Sequence, residues 1–98
     1  MTVVLVGSPQ TSWVAPTAVL LRERGARVVE LEGLATVGYV LLAERTAVVV
    51  VDARSAPVDW ASMRDMMMQL SPQTRVLLVD DASTAEQLAQ RIVSTEGP

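Results

Sequence analysis

Four short aliphatic runs punctuate the chain, and longer stretches with apolar residues every three or four positions separate them. The runs are Thr2 to Val6, Arg27 to Glu32, Ala47 to Asp52 and Arg75 to Val79, and their length and β-branched content predict strands. The first closes at Gly7-Ser8-Pro9, a turn signal, and the second ends at Gly33. Val48-Val49-Val50-Val51 is uninterrupted, as in a central strand buried on both faces. Arg27, Glu30 and Glu32 instead give the second strand one wetter face and place it nearer the sheet edge.

The stretches between predict helices. One runs from a cap at Thr11 or Ser12 to about Arg24, with Pro16 in its first turn, Val14, Ala18 and Leu21 at helical spacing, and Gly25 where a left-handed residue belongs. A second spans Leu34 to Glu44 despite Gly38, which weakens it by about 1 kcal/mol relative to Ala. The third, Trp60 to Leu70, takes Asp59 as N-cap and stops before Ser71-Pro72, with residues 53–58 as a loop before it. The last is capped by Ser83 or Thr84, with Glu86 or Gln87 placed for a capping box, Leu88, Arg91 and Ile92 along it, and fraying at Gly97-Pro98.

Strands alternating with helices of this length imply parallel pairing through right-handed crossovers. The expected fold is a three-layer α/β/α sandwich, flavodoxin-like, with four parallel strands in the order 2-1-3-4 in one domain, residues 1–98. That order gathers the loops after strands one, three and four on a common rim. Gly7 and Ser8, Asp52, and Asp80 with Asp81 fall there, so the rim is where chemistry is expected.

Composition narrows the chemistry. Hydrophobic residues make up 50% of the chain but aromatics only 3%, with no Phe, so Val, Leu, Ala and Met must build the core. All 8 basic residues are Arg, and the net charge of −3 argues against nucleic acid as a partner. Without Cys or His there is no disulfide, no thiolate or imidazole metal site and no classical catalytic triad. The start Met1-Thr2-Val3-Val4 has no basic leader, and no apolar stretch approaches the ~20 residues of a membrane span. A cytoplasmic protein with no membrane partner, no metal and no cofactor is expected.

In element order and spacing the chain resembles the receiver domain of bacterial response regulators. Arg22 to Glu30 resembles that family's passage from the first helix into strand two. Val48 to Asp52 resembles the strand ending in its phosphoacceptor aspartate, and Ser71-Pro72-Gln73-Thr74-Arg75 followed by aliphatic residues resembles its approach to strand four. The resemblance makes Asp52 the phosphoacceptor equivalent. The family's acidic pair after strand one, which holds Mg²⁺, is replaced by Gly7-Ser8-Pro9, and its Thr or Ser after strand four by Asp80. Its Lys after strand five has no counterpart, since the chain contains no Lys and is expected to lack the fifth strand.

These departures imply an atypical receiver, or pseudo-receiver: not an enzyme, without catalytic residues, acting as a protein-interaction or dimerisation module in bacterial signalling. Two other readings stand beside it. One is a small ligand-binding domain using Gly7-Ser8 and the rim aspartates for a cation or nucleotide, and the other is a receiver still phosphorylatable at Asp52.

Met63, Met66, Met67 and Met68 form a cluster that one amphipathic helix cannot bury entirely. Met63, Met67 and Leu70 are expected in the core, leaving Met66 and Met68, with Trp60 at the helix start, as interface candidates. Trp13 reads as a pocket wall at the rim or a lid over the first helix. Strand four, without a fifth beside it, is an apolar edge of the kind that pairs with another chain. The expected partner is a protein, and specifically a second copy.

Overall fold

Strand β3, Val48–Asp52, is buried at every position, and the remaining elements are arranged around it. In the computed structural model, which describes residues 1–8, 10–55, 59–80 and 84–96, the chain runs β1 (Thr2–Val6), α1 (Val14–Glu23), β2 (Arg27–Leu31), α2 (Val37–Ala43), β3, α3 (Trp60–Leu70), β4 (Arg75–Val79) and α4 (Ala85–Glu96). Short 3₁₀ turns at Leu34–Thr36 and Ala53–Ser55 precede α2 and follow β3. The four strands are parallel and ordered β2-β1-β3-β4. This is the expected flavodoxin-like topology, with β2 at one edge and β4 at the other.

Alternation along the strands builds two cores. Val3, Leu5, Val48, Val50 and Val79 face α1 and α4, where Trp13, Ala18, Leu21, Leu88 and Ile92 cover them. Val4, Val6, Val49 and Val51 face α2 and α3, where Val37, Leu41 and Met67 close the second layer. Burying each aliphatic side chain contributes about 1.5–3 kcal/mol, so the valines of β3 anchor both layers from one strand.

Helix ends follow local chemistry with two departures. Gly25 has φ +88, the left-handed conformation that stops α1. Thr84 and Gln87 exchange backbone-to-side-chain hydrogen bonds of 3.2 Å each, a capping box at the start of α4. Ser83 and Gly97-Pro98 lie outside the described residues. At α1, neither Thr11 nor Ser12 caps: Trp13, just beyond them, occupies the cap position without a side-chain bond, and Thr11 turns elsewhere. At α3, Asp59 holds the cap position through its carbonyl, which accepts from Ser62 and Met63, while its carboxylate makes no cap bond.

Two side chains depart from their expected places. Leu70 is 38% exposed and not a core residue, because the α3 face that meets the sheet is filled by Met67 with Met63 beside it. Trp13 is 2% exposed inside the α1/α4 core, so it is neither a pocket wall nor a lid.

The Ser71-Pro72-Gln73-Thr74 segment is a hydrogen-bonded turn that sets the start of β4. Thr74 N donates to Ser71 O at 3.0 Å, and the Thr74 hydroxyl donates to Thr46 O at 2.6 Å, tying the entry of β4 to the entry of β3. Having given its proton to Thr46, the Thr74 hydroxyl can only accept from Ser71 Oγ, 2.6 Å away. All three residues are buried. Thr74→Val keeps the shape but orphans two buried polar groups, and is expected to lower stability by about 1–3 kcal/mol, read as a lower urea midpoint with an unchanged slope.

Candidate functional site

Asp52 ends β3, and alternation turns its side chain toward the α1/α4 side, where β1 leads into α1. The residue is 2% exposed. Its Oδ2 accepts a hydrogen bond of 3.1 Å from the Thr11 hydroxyl and lies 3.6 Å from Nε of Arg54, whose own side chain is largely exposed. Ser8 Oγ sits 3.2 Å from Thr11 Oγ1. A threonine hydroxyl has one proton to give, and here it goes to Asp52, so Ser8 donates to Thr11. A polar chain therefore runs Ser8 to Thr11 to Asp52. Asp52 Oδ1 is buried without a hydrogen-bond partner.

The loop after β1 is shaped to deliver Thr11. Its backbone N–H donates to Ser8 O at 2.9 Å, closing a turn. A Cβ on Gly7 would lie 2.9 Å from Val14 Cγ2 and 3.2 Å from Thr11 Oγ1. Glycine at this position thus serves close packing of the loop on α1. A cleft of about 360 Å³ opens beside it, lined by Gly7, Ser8, Thr11, Ala15, Glu30 and Glu32. The two glutamates oppose an anion such as a nucleotide phosphate. Among the described residues, no group of three or more His, Cys, Asp or Glu is placed to hold a metal ion.

The other rim candidates do not join this group. Asp80 follows β4 directly and is exposed, and strand alternation from the buried Val79 places it toward the α2/α3 side, opposite Asp52. Asp81 lies outside the described residues. Thr11 is the rim residue that sequence reasoning assigned elsewhere, as a helix cap. Its position four residues after Gly7, in the loop that the topology sets against β3, was the available signal.

The interface candidates fall on α3. Met66 and Met68 are 40% and 47% exposed, while Trp60 is partly buried against the α2/α3 core. Beside Met66 an apolar groove of about 530 Å³ runs between α2 and α3, lined by Leu34, Tyr39, Leu42, Met63, Met66 and Leu70. Tyr39 and Leu42 stand largely in solvent.

Comparison with known proteins identifies a fold and no closer relationship. No family model matches the chain, and no curated protein matches it. Among solved structures, a response regulator protein from Burkholderia pseudomallei, with a phosphorylated aspartic acid, a calcium ion and citrate, superposes with a TM-score of 0.66 at 19% identity. The match covers 97% of this chain and 55% of that one, so the chain spans about half of that protein's length. The fold is therefore that of a response-regulator receiver domain. Among the described residues no helix is long and apolar enough to cross a membrane.

Substitutions at Gly7, Gly33, Thr11 and Asp52 test the geometry. Gly7→Ala is expected to cost about 1–3 kcal/mol through overpacking, whereas Gly33→Ala, which would place its new methyl group with no neighbour within 4 Å, stays within about 0.5 kcal/mol of wild type. Thr11→Val is expected to cost about 1–3 kcal/mol. In a double-mutant cycle with Asp52→Ala the two losses are less than additive, with a coupling of about 0.5–3 kcal/mol, measured by urea denaturation.

Proposed function

We propose that the chain is a non-catalytic receiver-like domain, a pseudo-receiver that works as a protein-interaction and dimerisation module in bacterial signalling. The observation that carries this reading is the state of Asp52. Its Oδ2 is taken by the Thr11 hydroxyl, itself only 6% exposed, and Asp52 is 2% exposed. A phosphoryl transfer to a carboxylate needs access for the donor and cations to neutralise the incoming charge. Here the loop that would supply cation ligands offers Gly7 and Ser8, and the chain has no Lys to bind the product.

The interaction role rests on surface chemistry. Tyr39, Leu42, Met66, Met68 and Leu78 are all at least 40% exposed, more large apolar side chains than a small folded domain needs to leave in water. Dimerisation is the simplest way to cover part of this surface, since identical chains supply identical patches.

Incubation with acetyl phosphate and Mg²⁺ should leave the intact mass unchanged. A gain of one phosphoryl group that disappears in Asp52→Asn would replace this reading with that of a phosphorylatable receiver. Light scattering at high micromolar concentration should give the mass of two chains, and a monomer there would remove dimerisation from the proposal.

A further inference from the structure

We infer that the edge of β4, unpaired among the described residues, is the dimerisation surface, and that it pairs antiparallel with β4 of a second copy about a two-fold axis through Leu77, joining two four-stranded sheets into one of eight. The inference rests on the dimerisation reading above and adds its location and register.

The backbone fixes which groups are available. Arg75 N donates to Ala47 O at 2.9 Å, so Arg75 turns its N–H and C=O toward β3. Strand alternation then turns Leu77 and Val79 the same way, and Val76 and Leu78 outward. Val76 and Leu78 are the two outward residues within the strand, and they lie symmetrically about Leu77. A two-fold axis normal to the sheet at Leu77 sets Val76 opposite Leu78 of the second copy, and Leu78 opposite its Val76. Each such pair exchanges two hydrogen bonds. The register thus uses every outward backbone group of the strand, and a one-residue slip would turn side chains to the wrong face.

Side chains agree with this register. Val76 and Leu78 share the α2/α3 face, so the crossing pairs are aliphatic on both sides, and Leu78, 42% exposed, becomes covered. Leu77 meets its own copy on the opposite face. Arg75 comes opposite Val79 and stays clear of the second Arg75. None of the usual protections of an edge strand, an inward charge, a proline or a bulge, interrupts Val76 to Val79.

Charge identifies the occupant as a second copy. A cleft of about 730 Å³ runs along the edge between β4 and α3, and Arg64, Asp65 and Met68 form its helical wall. Arg64 and Asp65 are adjacent, opposite in sign and both substantially exposed, with 4.0 Å between Nε and Oδ1. A wall carrying both signs at mid-helix is complementary to itself under a two-fold axis: each Arg64 meets the Asp65 of the second copy. Met68 lines the same cleft with Val76.

The absence of native cysteine makes the test direct. Leu77 forms a non-hydrogen-bonded pair with itself, where Cα atoms stand about 4.5 Å apart, within disulfide range. Leu77→Cys should therefore oxidise to a covalent dimer, while Leu42→Cys, in the α2/α3 groove, should not. Leu78→Pro removes an outward N–H without touching the β3 ladder and should halve the solution mass with circular dichroism unchanged. Wild-type dimers that persist in Leu78→Pro and fail to cross-link through position 77 would overturn the edge while leaving the dimerisation reading intact. Wild-type monomers would overturn both.

Discussion

A carboxylate at the end of a strand that is buried on both faces has to find its partners inside the fold, and the rim of this protein is organised by that requirement. The valines of β3 hold the two cores together, and the same burial carries Asp52 out of water. An unpaired charge there would cost several kcal/mol. The Ser8 to Thr11 to Asp52 chain, with Arg54 on the outer side, offsets that cost using hydroxyls from a loop. Gly7 permits the loop to lie close enough, and Thr11, engaged with Asp52, does not cap α1.

The consequence for function follows from the kind of partner. A hydroxyl satisfies a buried carboxylate without adding charge, whereas acidic neighbours would raise the local negative charge and call for a cation. A rim supplied by Ser8 and Thr11 therefore supports a static site. In the same molecule the apolar surface left exposed on α2, α3 and β4 supports a role carried by contact with another chain.

Most of the fold was legible in the sequence because its signals were local and consistent. The bounds of α3 and β4 followed from Trp60, the Ser71-Pro72 stop and the run before Asp80, and the capping box from Thr84 and Gln87. The strand order followed from the Val48 to Val51 run being central and β2 carrying charge. The less legible parts were those where a distant partner outcompeted a local one. Thr11 looks like a cap until β3 brings Asp52, 41 residues away, within 3.1 Å. Leu70 looks like a core residue by helical spacing, yet Met67 fills the layer and leaves it at the groove. The Thr74 link to Thr46 spans 28 residues and has no signature of its own in either segment.

The proposal that Asp52 is an internal group held through Oδ2, and not a phosphoryl acceptor, is open to direct measurement. Beryllofluoride with Mg²⁺ mimics an acyl phosphate without requiring turnover, so it probes the carboxylate independently of any donor. Amide resonances of Ser8, Thr11, Asp52 and Ala53, followed during a titration, should not move beyond the change seen with Mg²⁺ alone. Saturable shifts at these residues, lost in Asp52→Asn, would instead show a carboxylate open to phosphoryl chemistry.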